Sequence, residues 1–523
     1  MRILFIYPNL HAPYGINSGL ASIAGVLKAN GHDCKLIQIH EILKETISKN
    51  YIENFVEEFA PNLIGFSVMT QQYSNAKEIA ISIKKRFNIP IVIGGIHCTM
   101  QSSNLLLKDN IWDYICVGEG EFAMLDLVNQ FKTGIEKDIP NIINCRDNLP
   151  SLKSVRPLLN LRETPNRDFE IFNLNMFLKC NDGWMRVMTS RGCPNSCSYC
   201  QNYSLYNRYK NVKAVDSKKD YLRFHSVEKI ILELKALKFL HPEIEVFNFD
   251  DDLFTYDKER TRKFTDLYKE SGLCIPYVIN SHVNYFDYEI ATYLKNSGCK
   301  MVRFGVESGS DYIRNKILNR KVSKTDIITA FDICNQIGLH SSAFLMIGIP
   351  FESRAHLFET IKLCAQVKMG RFRWSYLYPY PGTLIYKIAD KQGIINKRKA
   401  FELNNYFDDS CFIFGDEHDL FLNKIGKVFN WYVNAYCEWE VSEVYRDLVS
   451  SIDKMSKSEW ESFKIRTNDI DRELSEKFIK QGKIHYSKRF SNNTGVHSKY
   501  ANSGRVAQLL DQNYFDSKDL TVA

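Results

Sequence analysis

Several things are missing from this 523-residue sequence, and each absence removes a class of protein. No stretch offers the roughly 18 apolar residues needed to cross a bilayer, so a membrane span is not expected. The opening run Ile3–Tyr7 is too short for a secretory signal core and stops at Pro8, so the chain is expected to be cytoplasmic. Low-complexity tracts and fixed-period repeats are absent, which excludes a solenoid. Gly-x-Gly-x-x-Gly does not follow the first apolar run. Pro8-Asn9-Leu10-His11 stands there instead, and a nicotinamide-dinucleotide domain is excluded with it. Strong charge is also lacking: 68 Lys and Arg against 61 Asp and Glu give +7, too little to call for nucleic acid. One stretch is one-sided. Lys477, Lys480, Lys483, Lys488, Arg489, Lys499 and Arg505 occur with no acidic residue between them. It reads as a solvated tail, with a contact surface for a phosphate-bearing partner as the sharper alternative.

What is present is ordinary globular material, 45% hydrophobic and 25% charged, long enough for about three domains. Residues 1–140 alternate short apolar runs with amphipathic segments. Strands are expected at Ile3–Tyr7, Cys34–Ile39, Leu63–Val68, Ile91–Ile93 and Tyr114–Val117. Leu20, Ile23, Ala24 and Leu27 keep helical spacing, with Asn17 or Ser18 as the cap. This pattern predicts a doubly wound parallel sheet of Rossmann or flavodoxin type. Ligands of such sheets lie beyond the carboxyl ends of the strands, where Pro8, Ser67, Gly94, Gly95 and Gly118 fall. Residues 141–184 read as a linker rich in Asn, Pro and Asp. From 185 to 392 six strands alternate with helices: Met185–Ser190, Glu245–Phe249, Tyr277–Asn280, Met301–Glu307, Ser341–Ile347 and Arg373–Tyr378. A partial TIM-like (βα)6 barrel is expected, with chemistry at the C-terminal strand ends. Residues 393–523 turn mainly helical, as Leu422, Ile425, Val428 and Phe429 illustrate, and end in the basic tail.

The chain has 14 cysteines. A reducing compartment argues against a disulfide framework. Eleven are scattered, such as Cys34, Cys145, Cys334 and Cys437, and read as small buried hydrophobes. The other three are grouped. In Arg191-Gly192-Cys193-Pro194-Asn195-Ser196-Cys197-Ser198-Tyr199-Cys200, three and then two residues separate the thiols. Cysteine thiolates hold cubane iron–sulfur clusters. Three of them bind three irons and leave the fourth open to a chelating ligand. A structural zinc site would want a fourth protein ligand, and no further pair of closely spaced Cys or His lies nearby. Chance grouping of buried cysteines is the bland reading.

The motif resembles the CxxxCxxC signature of the radical S-adenosylmethionine superfamily. The resemblance implies a [4Fe–4S] cluster on Cys193, Cys197 and Cys200, whose open iron is chelated by S-adenosylmethionine before reductive cleavage to a 5′-deoxyadenosyl radical. Tyr199 matches the aromatic residue near the adenine. Asp250 and Asp251, in Asn248-Phe249-Asp250-Asp251-Asp252, stand where the family often has a Gly-Gly-Glu-like element facing the methionine amino group. An acidic run there also suits a helix start. Glu307 in Gly305-Val306-Glu307-Ser308-Gly309 matches the fourth-strand motif. Gly348 and Pro350 in Ile347-Gly348-Ile349-Pro350-Phe351-Glu352 match the fifth-strand element that packs on adenine. His282 lies where many relatives carry Arg.

Residues 1–140 resemble the cobalamin-binding domain fused to many of these enzymes. The matching residues are Pro8, Ser67, Gly94, Gly95, His97, Gly118, Glu119 and Gly120. The Asp-x-His-x-x-Gly loop of some cobalamin proteins is missing; His11-Ala12-Pro13-Tyr14-Gly15 stands there. His11 and His97 are possible contacts, with packing histidines the equal alternative. Both cofactors in one chain imply methylation of an unactivated carbon through methylcobalamin and the adenosyl radical. Related outcomes are rearrangement, cyclisation and methylthio transfer, the last disfavoured by the lack of a second cysteine cluster. A cobalamin-binding sensor is the non-enzymatic alternative. The substrate reads only as a small molecule, lipid or peptide. A flavodoxin or ferredoxin is the implied electron donor, and nucleic acid is not expected.

Overall fold

The computed structural model describes residues 1–101, 107–402, 409–489 and 493–497. The chain divides into two compact units: residues 1–194 with 201–244, and residues 195–200 with 245–523.

The first unit is built on Arg2–Pro8 (β1), whose side chains are buried on both faces after Arg2, as a central parallel strand requires. Around it lie Asp33–Ile39 (β2), Leu63–Ser67 (β3), Ile91–Gly94 (β4), Tyr114–Cys116 (β5) and Ile142–Asn144 (β6). The order is β2-β1-β3-β4-β5-β6, with β6 antiparallel to β5. The helices are Ser18–Ala29 (α1), Lys49–Phe59 (α2), Tyr73–Arg86 (α3) and Glu121–Thr133 (α4). Asn17 is the cap of α1, its Oδ1 accepting from Leu20 N at 3.0 Å. On one face of the sheet, Leu4, Ile6, Ile37, Ile64, Phe66, Ile93 and Ile115 share a core with Val56 of α2 and Ile83 of α3.

The segment expected as a linker is packed structure. Its first residues form β6, and Leu161 and Phe169 are buried. Arg167 explains why. Its guanidinium pairs with Glu233 of helix Val227–Leu240 (α5) and donates to Met188 O at 2.6 Å. A buried, bidentate pair of this kind needs a fixed backbone on both sides. Trp184–Val187 (β7) leads toward the cysteine loop. A short antiparallel pair, Ser190–Arg191 with Arg223–Phe224, follows it.

The second unit carries Val246–Phe249 (β8), Tyr277–Ser281 (β9), Cys299–Glu307 (β10), His340–Ile347 (β11) and Arg371–Tyr376 (β12). They pair in parallel and in sequence order. Between them run Lys258–Glu270 (α6), Tyr288–Asn296 (α7), Lys324–Ile337 (α8) and Arg354–Val367 (α9). With β7, these strands are the six that the sequence predicts. Beyond them come Asp416–Tyr436 (α10), Ser442–Lys454 (α11) and Thr467–Lys480 (α12).

Helix α10 is locked to the outer side of β12. Trp374 Nε1 donates to Gly426 O at 2.8 Å, and Tyr376 Oη donates to Leu422 O at 3.0 Å. A Cβ on Gly426 would lie 1.9 Å from that hydroxyl. The helix leaves regular geometry at Val428, the expected result of a side chain inserted into its ladder.

The end of the chain is mainly helical, as expected, but part of the basic stretch read as a tail is strand. His485–Arg489 (β13) and Asn493–His497 (β14) form an antiparallel hairpin, and β14 pairs with β12. The physical reason is the open edge of β12, which a hairpin covers. Lys499 and Arg505 lie outside the described residues. Among the described residues, no helix is long and apolar enough to cross a membrane.

Candidate active site

The cysteine loop follows β7. Cys193 falls in the first unit, Cys197 and Cys200 in the second. None of the three is joined in a disulfide; Cys197 is buried and the others are half-buried. Among the described residues, no group of three or more His, Cys, Asp or Glu is gathered at metal-binding distance.

Backbone bonds hold the second half of the loop. Ser198 N donates to Leu318 O at 2.9 Å, and Ser198 Oγ to Ile317 O at 2.7 Å. Asn319 Nδ2 donates to Ser196 O at 2.8 Å. The carbonyls of Ile317 and Leu318 lie at the end of Ile313–Ile317, a π-helical turn, a feature that often marks functional sites. Fully buried Arg314 braces that turn, donating to Ser308 O at 2.7 Å and Val322 O at 2.8 Å.

A charged group closes over Cys197. Arg320 Nη1 donates to Cys197 Sγ at 3.7 Å and Tyr199 Oη at 3.1 Å, and its Nε donates to Gly305 O at 3.0 Å. Glu307 Oε1 lies 3.8 Å away. Burial raises the Glu307 carboxyl above its ordinary range, with Arg320 opposing the shift. Burial also pushes the Tyr199 hydroxyl well up. Burial alone would lower the Arg320 guanidinium, but Tyr199, Glu307 and Cys197 outweigh it and hold the charge in place. Arg320 thus sets a cationic donor on the sulfur of Cys197, and cysteine sulfurs are what an iron–sulfur cubane takes as ligands. The donor set therefore fits the cluster that the sequence implies. Glu307 sits at φ 66, a strained conformation held by its surroundings.

Past the fifth strand, Gly348 N and Ile349 N donate to Glu352 Oε2 at 2.8 and 3.2 Å. Burial pushes the Glu352 carboxyl up to about 8 against those two bonds. Pro350 is buried beside them. Gly348 adopts φ 69, which favours glycine. Asp251 is fully buried, and its carbonyl accepts from Asn280 Nδ2 at 3.2 Å. Asp250 Oδ1 lies 3.4 Å from Arg303 Nη2, which also donates to Asn248 Oδ1. His282 is buried and lowered to about 3 by desolvation, then by Arg320. Arg320 and Glu352 are the site residues that spacing did not single out. Arg320 lies in a polar stretch with no periodic signal.

In the first unit, Pro8 ends β1 and Ser67 Oγ accepts from Asn17 Nδ2 at 3.0 Å. His11 is exposed and its Nδ1 lies 3.2 Å from Glu41 Oε1. His97 is buried, stacks on Tyr73 at 4.4 Å between centroids, and leaves Nε2 without a partner. Burial lowers its imidazole to about 4, so it is neutral. An orphaned buried ring nitrogen is compatible with a polar ligand on this domain. The glycines are engaged by the protein itself. A Cβ would come 2.6 Å from Val68 N at Gly95, 2.8 Å from Tyr209 Oη at Gly118 and 2.9 Å from Ile23 Cδ1 at Gly120. Gly94 is less crowded, its nearest neighbour being Cys116 Cβ at 3.3 Å. Glu119 receives Arg191 at 3.1 Å and Arg223 at 2.8 Å, while Glu121 receives Arg191 at 2.6 Å. Burial opposes ionisation of Glu119, but the two arginines pull its carboxyl down to about 2. Through Arg191 these carboxylates fix the start of the cysteine loop.

Comparison with known proteins agrees with this geometry. Residues 187–364 match the Radical SAM superfamily, and residues 12–128 match the B12 binding domain. An uncharacterized methyltransferase of Pyrococcus horikoshii is 28% identical over 399 residues, covering 74% of this chain and 83% of the relative. An anaerobic magnesium-protoporphyrin IX monomethyl ester cyclase of Rubrivivax gelatinosus is 24% identical over 418 residues, covering 76% of this chain and 72% of the relative. Two solved structures share the fold. The radical S-adenosylmethionine methyltransferase TsrM of Kitasatospora setae superposes with a TM-score of 0.62 at 16% identity, covering 76% of this chain and 77% of that one. The cobalamin-dependent S-adenosylmethionine radical enzyme OxsB gives a TM-score of 0.66 at 16% identity, covering 86% and 71%. The chain therefore carries a B12-binding domain at residues 12–128 ahead of a radical S-adenosylmethionine domain at residues 187–364.

Proposed function

We propose that this enzyme methylates an unactivated carbon of a small molecule. The observation that carries the reading is the pairing of a B12-binding domain with an arginine-supported CxxxCxxC loop in one chain. When bound, the cluster supplies the electron that cleaves S-adenosylmethionine, and cobalamin supplies the methyl group.

The chain's own residues hold and orient. Cys193, Cys197 and Cys200 would ligate the cluster. Arg320 would offset the negative charge of a bound cluster beside Cys197, and it keeps the Tyr199 ring in place through its 3.1 Å bond. Gly348 and Pro350 would let backbone approach the adenine, and Asp250, Asp251 and Glu307 would receive the amino group or a ribose hydroxyl. Pro8, Ser67, Gly94 and His97 remain the proposed cobalamin contacts. His11, Gly95, Gly118, Glu119 and Gly120 would act beside them, within bonds and packing that already engage most of them. A flavodoxin or ferredoxin is the proposed reductant.

A second reading keeps both cofactors but ends in ring formation. It is favoured by the likeness to the Rubrivivax cyclase. Anaerobic reconstitution with iron, sulfide and hydroxocobalamin, then gel filtration and an ultraviolet–visible spectrum, tests the shared premise. Cluster and cobalamin absorption retained together support it. A cluster that retains no cobalamin refutes methyl transfer.

A further inference from the structure

Helices α9, α10 and α11 enclose a cleft in the second unit. Helix α11 runs back along α10: Tyr432 Oη of α10 donates to Asp453 Oδ1 of α11 at 2.7 Å, and Arg446 Nη1 of α11 donates to Ala435 O of α10 at 3.3 Å. Beside α9 the two helices leave an open volume of about 610 Å³. That is room for a small molecule, since ligand pockets run from about 300 to 1,000 Å³. One wall is aromatic. Phe358 of α9 lies 6.1 Å from the Tyr432 ring and 5.8 Å from the Tyr436 ring, and Ala435 and Val449 add aliphatic surface. Tyr432 is buried but Tyr436 is 44% exposed, so the apolar wall reaches solvent. None of the lining residues belongs to the cysteine loop or to the strand ends.

The charges around this cleft are unevenly satisfied. The Asp453 carboxylate is answered within the protein, by Arg354 at 2.7 Å and by the Tyr432 hydroxyl. Arg446 uses one of its five N–H donors on Ala435 O, a last-turn carbonyl that lacks a helical partner. Lys454 and Ser450 also line the cleft, and among the described residues neither side chain has a hydrogen bond or ion pair. Glu438 is the lining carboxylate that no described cation meets. Two open cations against one open carboxylate leave a single positive charge in excess. The rings exclude a ligand of the same sign. Arg354 lies 5.6 Å from the Phe358 centroid, and Lys362 lies 5.6 Å from that of Tyr436. A cation drawn to those rings would meet cations already seated on them. A planar ring with one anionic group meets no such conflict. It packs against Phe358 and Tyr436, while its oxygens accept from Arg446 and Lys454.

We propose that this cleft binds a small, singly charged aromatic acid. Arg446 and Lys454 hold its anionic group, Ser450 adds a hydroxyl donor, and Phe358 and Tyr436 hold its ring. The site is independent of the methyl-transfer reading and stands if that reading fails. It joins three helices, two of them tied to the barrel. Helix α9 starts directly after the turn at Glu352, and α10 is bonded to β12 through Trp374 and Tyr376. An occupant therefore fastens α9, α10 and α11 to one another and stabilises the folded chain by mass action.

The test uses the full chain with S-adenosylmethionine in excess and no reductant. 2-Naphthoate, a planar monoanion, is titrated by calorimetry, with neutral 2-naphthamide as the control. Wild type should bind naphthoate, and naphthamide about tenfold more weakly, the loss of a charge-assisted bond. Lys454→Gln and Arg446→Gln should each weaken naphthoate by a similar factor and leave naphthamide unchanged. Tyr436→Leu should weaken both ligands by about two- to tenfold, the loss of a ring contact. Ser450 is exposed on α11, so Ser450→Trp keeps the fold while filling the cleft, and it should abolish binding of both. Naphthoate should also raise the melting temperature of wild type and not that of Ser450→Trp. Absent binding of naphthoate by wild type, or binding that Ser450→Trp and Lys454→Gln leave unchanged, overturns the site. Equal binding of the amide overturns the assignment of an acid.

Discussion

Replacing Arg320 with Met would expose how much of the site depends on one buried charge. The guanidinium and the Glu307 carboxyl are only 9% and 11% exposed as side chains. Arg320→Met removes the donors to Gly305 O, Tyr199 Oη and Cys197 Sγ. It also strands the Glu307 carboxyl in a dry site. Breaking one partner of a buried pair costs about 3–5 kcal/mol. At about 2–4 °C per kcal/mol, this lowers the melting temperature by roughly 6–20 °C. Glu307 is already raised by burial, with Arg320 the opposing influence, so without Arg320 its carboxyl rises further. An acid raised in the folded state loses stability as pH climbs above its unfolded value. The deficit of the variant should therefore be smallest near pH 5, close to the ordinary carboxyl value, and largest near pH 8. Adding Glu307→Gln should recover a coupling of about 1–3 kcal/mol. Scanning calorimetry of the cluster-free protein at several pH values measures all of this. A single variant that melts within about 2 °C of wild type, or a deficit that Glu307→Gln leaves untouched, would refute the account of this network.

Other outcomes follow from the same geometry. Glu352, pushed up to about 8 by burial, destabilises the fold increasingly as pH rises from its unfolded value toward 8. Glu352→Gln should raise the melting temperature at pH 8 and match wild type near pH 5; a pH-independent difference speaks against it. Gly309→Ala would put a Cβ 2.5 Å from Thr360 Cα and 2.6 Å from Glu359 O, rigid backbone that cannot yield, so a loss of about 1–3 kcal/mol or more is expected in urea unfolding. The His97 ring protons should stay untitrated in nuclear magnetic resonance spectra until pH approaches about 4, and an ordinary midpoint near 6.5 would contradict its burial. Arg167→Met should destabilise the first unit by about 3–5 kcal/mol, and Arg167→Met with Glu233→Leu by less.

The periodic parts of the fold were legible from the residues alone. Strands such as Ile3–Tyr7 and Tyr277–Asn280 carry their own signal because burial on both faces writes a continuous apolar run. The cysteine loop was legible as a motif because Cys193, Cys197 and Cys200 stand close together while the other cysteines are scattered. What stayed hidden depends on long-range pairing. β6 is three residues long and exists only because β5 offers an edge. The strand pair His485–Arg489 and Asn493–His497 likewise borrows the edge of β12, and its Lys488 and Arg489 had read as tail. Arg320 acts on Cys197 across 123 positions of sequence, a distance over which no local pattern operates. The strand-end glycines show the reverse: their positions were readable, but the atoms that need the space, such as Val68 N and Tyr209 Oη, belong to the protein.

The hook of Tyr376 and Trp374 into α10 makes β12 a strand gripped from one side. The grip consists of two bonds, at 2.8 and 3.0 Å, too short to survive a slide of even one pleat. Arg373 and Ser375 alternate with the gripping residues, so their height in the barrel is set from behind, by a helix outside the radical domain's matched span. A shift of α10 would therefore carry Arg373 and Ser375 with it, while the bonds that hold the cysteine loop to the turn after β10 stay as they are.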